Sequence, residues 1–239
     1  MTQGSIHTVA IPGLCCSARL YEPVLPNLWT HGAVTIADTR RDRSLRGIAE
    51  RLLSDAPSRF ALAGISMGGY VALEVMRHAP ERVLAIALIS TSARADAPDQ
   101  AAARRVLLAR VKAGGFEEVV SSAFPVLVDP RNRENTDLAA FWNDMAHEVG
   151  PAVFSRQLRA VVERGDSRRV LPQIACPAAV IHGAGDRLIP VEHGEEMAEA
   201  IGGAAFTVVE GGGHMVMQEQ SNVVSAALDS LLERAASSA

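Results

Sequence analysis

The five residues Gly64-Ile65-Ser66-Met67-Gly68 constrain the fold of this chain more than any other feature. The uncharged, apolar residues 60–63 precede them, as in a strand that is buried on both faces. After Ser66, apolar residues recur at four-residue spacing until Ala79-Pro80 ends the helical pattern. The pattern therefore predicts a sharp strand-to-helix turn with Ser66 at its apex. Glycine is expected on both sides of the serine, because a Cβ there would collide with the neighbouring chain.

A serine in such a turn presents its hydroxyl outside the sheet, and it needs a general base to become a nucleophile. Among seven histidines, His214 is the candidate, because it follows a strand-like run at 205–209 and three consecutive glycines. Those glycines let the loop bend, so that the ring can reach a neighbouring strand end. An ordinary exposed loop histidine is the alternative for His214. His182 is the competing base, but its place at a strand end among apolar neighbours favours a packed or locally bonded role.

A carboxylate is needed to orient the histidine, and Asp186 is the candidate. It lies in a glycine-containing loop directly after the apolar run at 178–182. Open α/β sheets build their sites at the carboxyl ends of their strands, which is where this loop would lie. The alternative is a turn aspartate that bonds its own backbone.

The chain order Ser66, Asp186, His214 resembles that of the α/β-hydrolase superfamily, and the resemblance extends over nearly the whole chain. The segments G-I-S-M-G-G, G-A-G-D-R-L-I-P and G-G-G-H-M are similar to the nucleophile elbow, acid loop and histidine loop of that superfamily. The resemblance implies the fold and a catalytic triad of these three residues. It does not select a substrate, because the superfamily cleaves esters, lactones, thioesters, peroxy acids and carbon–carbon bonds.

The resemblance also implies an oxyanion hole made of two backbone N–H groups. One belongs to Met67, the residue after the serine. The other comes from the loop after an early strand, here residues 6–11, which makes Leu14 the second donor. Pro12 stands where the superfamily usually has a histidine before the glycine. The Leu14 side chain is expected to line the substrate pocket.

Strands alternate with helices in residues 1–94 and 171–239, which predicts an α/β fold with a mostly parallel sheet and helices on both faces. About six strands are expected, because few residues precede the first strand. One sheet edge would then stay open, and a second copy could pair there to form a homodimer.

Residues 95–170 contain only helical patterns, and this segment resembles the helical cap that many α/β-hydrolases insert above the site. Packing inside the cap is the alternative role for each of its large apolar side chains. Four of these side chains are expected to contact substrate: Phe124, Phe141, Trp142 and Met145.

Composition limits the remaining classes of function. The chain of 239 residues is 48% apolar, enough for the core of one domain, and no stretch approaches a membrane span. The net charge of −4 argues against a basic surface that would bind nucleic acid. The sequence also has no cluster of Cys and His at metal-ligand spacing and no nucleotide-binding loop. Three cysteines, an odd number, and no N-terminal pattern of a secretory signal favour a reducing cytoplasm.

These features predict a cofactor-free serine hydrolase that cleaves a small or medium carboxylic ester or lactone through an acyl-enzyme. A thioesterase or a hydrolase of carbon–carbon bonds is the alternative within the same fold. A ligand-binding protein without turnover is the alternative from another class, although such proteins usually lack a triad residue and all three are present here.

Overall fold

A parallel six-stranded sheet lies at the centre of the computed structural model, which describes residues 5–238. Residues 1–4, part of the N-terminal segment in which no secretory signal is expected, lie outside this range. The strand order is β2-β1-β3-β4-β5-β6, and every neighbouring pair is parallel. The strands are β1 (Thr8–Ile11), β2 (Val34–Ile36), β3 (Phe60–Ile65), β4 (Val83–Ile89), β5 (Ala178–Gly183) and β6 (Ala205–Val209).

Nine helices of the described chain surround and extend this sheet. They are α1 (Leu25–His31), α2 (Leu45–Asp55), α3 (Met67–His78), α4 (Pro98–Lys112), α5 (Phe116–Leu127), α6 (Thr136–Val162), α7 (Glu192–Ala200), α8 (Val216–Glu219) and α9 (Ser221–Ser238). Short 3₁₀ turns lie at Ala18–Tyr21, Pro80–Arg82, Pro130–Asn132 and Arg168–Gln173.

The sheet is covered on both faces, as the sequence predicts. Helices α2, α3 and α7 bury their apolar sides against one face, and α1 and α9 against the other. All six residues of β3 are buried, which explains why this strand has no polar alternation. Ser44 caps the start of α2, since its hydroxyl accepts a hydrogen bond from Gly47 N at 3.0 Å.

Helices α4, α5 and α6 lie between β4 and β5 in the chain and pack against one another. α6 breaks at Gly150, where φ is 78° and ψ is 165°, and Pro151 begins its second half. The buried apolar residues of α5 and α6 join those of α1 and α9 in one continuous cluster. Ala160 and Val161, at the end of α6, instead belong to the cluster that contains α2, α3 and α7, so this segment contributes to both apolar clusters.

Strand β2 forms the edge of the sheet beside β1, and β6 forms the opposite edge. The homodimer contact expected at an open edge stays a prediction. Within residues 5–238, no helix is both long enough and apolar enough to cross a membrane.

Candidate active site

Ser66 stands between β3 and α3 in a backbone conformation that is rare for residues other than glycine, with φ at 53° and ψ at −117°. Two hydrogen bonds hold this turn. The Ser66 N–H donates to the Ile89 carbonyl oxygen at 2.9 Å, and the Thr91 hydroxyl donates to the Ser66 carbonyl oxygen at 2.7 Å. Both partners come from the end of β4 and the residues just beyond it, so the neighbouring strand fixes the serine in this conformation.

The glycines that flank the serine are required by close backbone contacts, as the sequence predicts. A Cβ on Gly64 would overlap the backbone of Gly68, and a Cβ on Gly68 would overlap the carbonyl oxygen of Ile11. Main-chain atoms cannot move aside without shifting a strand. The glycines therefore allow β3, α3 and β1 to meet closely around Ser66.

The structure brings together the three residues that the sequence singles out. The Ser66 Oγ lies 2.8 Å from His214 Nε2, and His214 Nδ1 lies 2.7 Å from Asp186 Oδ2. His214 and Asp186 are 6% and 8% exposed, so these hydrogen bonds have little competition from water. Ser66 accordingly has a base within reach of its proton, and that base has a carboxylate that fixes its tautomer.

Asp186 is held as a carboxylate by its partners. Its Oδ1 accepts hydrogen bonds from the backbone N–H groups of Leu188 and Ile189, each at 2.9 Å. Burial by itself would raise the pKa of Asp186, but the charge of His214 and hydrogen bonds from His182, His214 and Ile189 outweigh it. The pKa of Asp186 therefore lies well below its ordinary value, and the side chain stays ionised at neutral pH.

His182, the competing histidine, is completely buried and does not contact Ser66. Its Nε2 donates to the Ile189 carbonyl oxygen at 2.9 Å and lies 3.5 Å from Asp186 Oδ2. It joins the end of β5 to the loop that carries the acid, which agrees with the locally bonded role expected from sequence.

The loop after β1 lies directly beside the serine. A Cβ placed on Gly13 would be 3.5 Å from the Ser66 Cβ, and both Leu14 and Met67 line the cavity next to Ser66. Met67 is the first residue of α3, so its N–H has no acceptor within the helix. In the described chain the Leu14 N–H has no protein acceptor either. Neither N–H group is engaged by a hydrogen bond within residues 5–238.

Cys15, adjacent to this loop's proposed donor, is 1% exposed. Burial raises the pKa of its thiol to about 12, so the thiol is protonated at neutral pH. The Cys15 sulfur lies 3.9 Å from the Ala146 carbonyl oxygen in α6.

A cavity of about 270 Å³ opens onto Ser66 and His214. Its walls come from the loop after β1, from α4, α5 and α6, and from residues near Asp186, and they are largely apolar. Trp142 and Met145, two of the four expected substrate contacts, line it together with Leu14 and Phe154. The Trp142 indole donates to the Val120 carbonyl oxygen at 2.8 Å, so its polar atom is satisfied.

Phe124 and Phe141, the other two predicted substrate contacts, lie outside this cavity. Phe124 is 6% exposed and packs in the apolar interior between the helices and the sheet. Phe141 is partly buried, and the guanidinium carbon of Arg19 lies over its ring, 5.0 Å from the ring centroid. Both are packing residues, the role that the sequence left open as an alternative.

Glu219 is a partly buried carboxylate whose role the sequence does not reveal. One of its carboxylate oxygens accepts from the Gly213 N–H at 2.7 Å, and the other accepts from Asp129 N and Asn132 Nδ2 at 2.7 and 2.9 Å. The Met215 N–H also donates to the Leu127 carbonyl oxygen at 2.8 Å. These bonds fix the loop of His214 against the segment after α5. Among residues 5–238, no three His, Cys, Asp or Glu side chains form a group that could hold a metal ion.

A serine between a strand and a helix at the carboxyl edge of a parallel sheet, hydrogen-bonded to a histidine that in turn bonds an aspartate, is the arrangement of the α/β hydrolases. The model of the alpha/beta hydrolase family matches residues 9–227. The chain belongs to this family.

Within the family, the chain is similar to proteins that act on esters. It is 29% identical to a pimeloyl-[acyl-carrier protein] methyl ester esterase of Aromatoleum aromaticum. The aligned 223 residues cover 87% of this chain and 85% of that relative. A thermophilic esterase from Thermogutta terrifontis superimposes with a TM-score of 0.87 at 24% identity, covering 97% of this chain and 91% of that one. The enol-lactonase from Burkholderia xenovorans LB400 has a TM-score of 0.85 at 20% identity, covering 98% and 94% of the two chains. At these identities the two structures support the fold alone.

Proposed function

We propose that this chain is a cofactor-free serine hydrolase that cleaves small or medium carboxylic esters or lactones through an acyl-enzyme. The observation that carries the proposal is the continuous chain of hydrogen bonds from Ser66 through His214 to Asp186, which opens into an apolar cavity. The ester chemistry named for the pimeloyl-[acyl-carrier protein] methyl ester esterase supports the same class of reaction.

In the first half of the proposed reaction, Ser66 Oγ attacks the carbonyl carbon while His214 Nε2 takes the hydroxyl proton. Asp186 stays ionised and stabilises the imidazolium that forms. The Leu14 and Met67 N–H groups donate to the oxyanion of the tetrahedral intermediate. The imidazolium then gives its proton to the leaving alkoxide, so that the alcohol departs and the acyl group remains on Ser66.

In the second half, a water molecule attacks the acyl carbon and His214 Nε2 takes one of its protons. The same two N–H groups receive the new oxyanion. When this intermediate collapses, the C–O bond to Ser66 breaks and the proton on His214 returns to the serine oxygen. The products are the carboxylic acid and the free enzyme.

The cavity supports an uncharged acyl group of limited size. Its volume of about 270 Å³ is near the lower end of the usual range for small-molecule pockets. Arg104 is the one lining Arg, Lys, Asp or Glu side chain among residues 5–238, and it pairs with Asp96 at 3.0 Å, a carboxylate that Arg164 also binds at 2.9 Å. The rest of the lining is largely apolar, which favours an uncharged acyl group. We further propose that residues 95–170 act as a cap, since α4, α5 and α6 supply much of the cavity wall and exclude water from it.

A panel of p-nitrophenyl esters with acyl chains of two to ten carbons, together with simple lactones, tests this function. We expect hydrolysis to be greatest for short or medium chains and to be lost in Ser66→Ala, with labelling of the wild type by a fluorophosphonate. Ser92→Ala is the matched control, because Ser92 is a buried serine just beyond β4 that does not line the cavity. A wild type that hydrolyses nothing in the panel and resists the fluorophosphonate would be a ligand-binding protein instead.

A further inference from the structure

Gln157 is a completely buried polar side chain on the second half of α6. Burying an amide costs free energy unless both of its ends are hydrogen-bonded. The Gln157 Oε1 accepts from the backbone N–H of Cys15 at 3.0 Å. Its Nε2 donates to the carbonyl and hydroxyl oxygens of Thr39, at 3.2 and 3.0 Å. The side chain thus joins α6 to two loops at the carboxyl ends of β1 and β2.

The orientation of this amide follows from its partners. The Cys15 N–H is only a donor, so it must face the oxygen, and the Thr39 carbonyl is only an acceptor, so it must face the nitrogen. A flipped amide would lose both contacts in a buried place. Gln157 is therefore specific for one arrangement of the two loops.

The loop after β1 is held in a form that it would not favour by itself. The Cys16 N–H donates to the Gly13 carbonyl oxygen at 3.3 Å, which closes a four-residue turn. Cys15 is the third residue of this turn and has φ at 60°, as in a type II turn, where glycine is preferred. In the common type I turn the peptide between the second and third residues is flipped and the third residue has a negative φ.

The peptide that distinguishes these two forms is the one between Leu14 and Cys15, and its N–H is the group that Gln157 binds. Two other contacts join α6 to this loop within residues 5–238, and both use side chains of the loop and not its backbone. They are the hydrogen bond from Ser17 Oγ to Glu148 and the contact of Cys15 Sγ with the Ala146 carbonyl oxygen. They would survive a peptide flip better than the Gln157 contact. The Gln157 bond therefore offsets the strain of the left-handed Cys15.

We propose that Gln157 is a positioning residue that holds the oxyanion loop in the form in which the Leu14 N–H faces the reacting carbonyl. The inference rests on the proposed function, in which Leu14 donates to the oxyanion. Loss of the Gln157 contact frees the Leu14–Cys15 peptide to flip, which changes ψ of Leu14 and φ of Cys15 but leaves the peptide that carries the Leu14 N–H unflipped. The donor is then displaced by the shift of the relaxed loop and not by rotation of its own peptide. An interaction that is needed mainly in the transition state should then weaken, while the cavity that binds the acyl group stays in place.

Gln157→Met tests the proposal, because methionine fills a similar volume without a hydrogen-bonding amide. We expect kcat for a p-nitrophenyl ester to fall about 10- to 100-fold, as displaced donors commonly cause, with KM changed less than about threefold. Gln157→Glu keeps an oxygen for the Cys15 N–H, and burial favours a protonated carboxyl that can donate to the Thr39 carbonyl as the amide does, so this variant should recover part of the lost kcat. If Gln157→Met does not fold, Gln157→Asn takes its place, since a chain one methylene shorter cannot reach both loops.

Affinity for n-butylboronic acid provides the readout that a purely structural role would not move. The boron bonds to the serine oxygen, and a boron-bound oxygen then occupies the oxyanion position. We expect Gln157→Met to weaken this inhibitor by about the same factor as kcat/KM. Leu158→Ala is the matched control, because Leu158 is a fully buried neighbour on α6 that does not line the cavity. It should lower thermal stability while keeping kcat and boronic acid affinity close to those of the wild type.

The inference is overturned if Gln157→Met keeps kcat within threefold of the wild type, or if Leu158→Ala loses kcat and inhibitor affinity to the same extent. A loss confined to KM would also contradict it, because the residue would then act on substrate binding. The proposed function has a separate test. Wild-type hydrolysis that does not depend on Ser66 removes that function, whereas Ser66-dependent hydrolysis that ignores Gln157 removes this inference alone.

Discussion

Asp186→Asn should disable turnover while it leaves the fold and the cavity intact. Asparagine has the shape of aspartate, so the question is which way its amide points. If its oxygen faced His214, its NH₂ would face the backbone N–H groups of Leu188 and Ile189, which now donate to Oδ1 at 2.9 Å. Two buried donors would then be unpaired, at a cost of about 1–3 kcal/mol each. The amide nitrogen is therefore expected to take the place of Oδ2.

In that orientation the amide donates to His214 Nδ1, where Asp186 Oδ2 now accepts at 2.7 Å. The imidazole must then carry its proton on Nε2, which cannot accept the Ser66 proton. We expect kcat to fall about 10⁴-fold, the loss that this substitution causes in another Ser-His-Asp enzyme, or about 5.5 kcal/mol of transition-state stabilisation. KM should change little, because Asp186 does not line the cavity.

Steady-state hydrolysis of a p-nitrophenyl ester measures this prediction, with circular dichroism to verify the fold. Asp129→Asn is the control, because Asp129 is a buried carboxylate that accepts from Arg131 and has no contact with His214. Its activity should stay within about fivefold of the wild type. If Asp186→Asn kept more than a tenth of wild-type kcat, the carboxylate would not be needed to fix the tautomer, and the account of the acid would be refuted.

Three further predictions concern neighbouring groups. His214→Ala should lose about 10⁴-fold in kcat, whereas His182→Ala should keep measurable turnover; the reverse pattern would make His182 the base. Both substitutions should lower the melting temperature, because each removes a buried imidazole that is hydrogen-bonded. Cys15→Ala should keep kcat within about fivefold of the wild type, because burial raises the pKa of its thiol to about 12 and no thiolate is available; a loss of 100-fold would contradict this. The lowered pKa of Asp186 stabilises the fold above the pKa of the unfolded side chain, about 3.9, and this contribution is lost as pH falls towards the folded-state value. The melting temperature of the wild type should therefore exceed that of Asp186→Asn most at neutral pH and approach it below about pH 3, and a difference that grows on acidification would refute the assigned shift.

Local patterns predict the sheet well, because a parallel strand must be apolar along its whole length. The strand-like run at 205–209 coincides with β6, and the apolar residues 60–63 lie within β3. The break in α6 was also predictable, since Gly150-Pro151 ends a helix by local chemistry.

The sequence also predicts which loops meet at the site, because carboxyl ends of parallel strands lie at one edge. It could not show what the apolar side chains of the helical segment contact. Phe124 and Trp142 both lie on apolar faces, but only the folded structure shows that Trp142 lines the cavity and Phe124 packs away from it. Gln157 and Glu219 were missed for a related reason. A polar residue in a helical pattern is expected to be exposed, and the partners Cys15 of Gln157 and Asp129 of Glu219 lie 142 and 90 residues away in the chain.

The central claim is that an acyl group is transferred to Ser66, and trapping that intermediate tests it most directly. The enzyme is mixed with an ester that deacylates slowly, quenched in acid, digested and mapped by peptide mass. The account predicts the added mass of one acyl group on the peptide that contains Ser66, and none in Ser66→Ala. An acyl group on the peptide of Cys15, or turnover by Ser66→Ala at the wild-type rate, would contradict it.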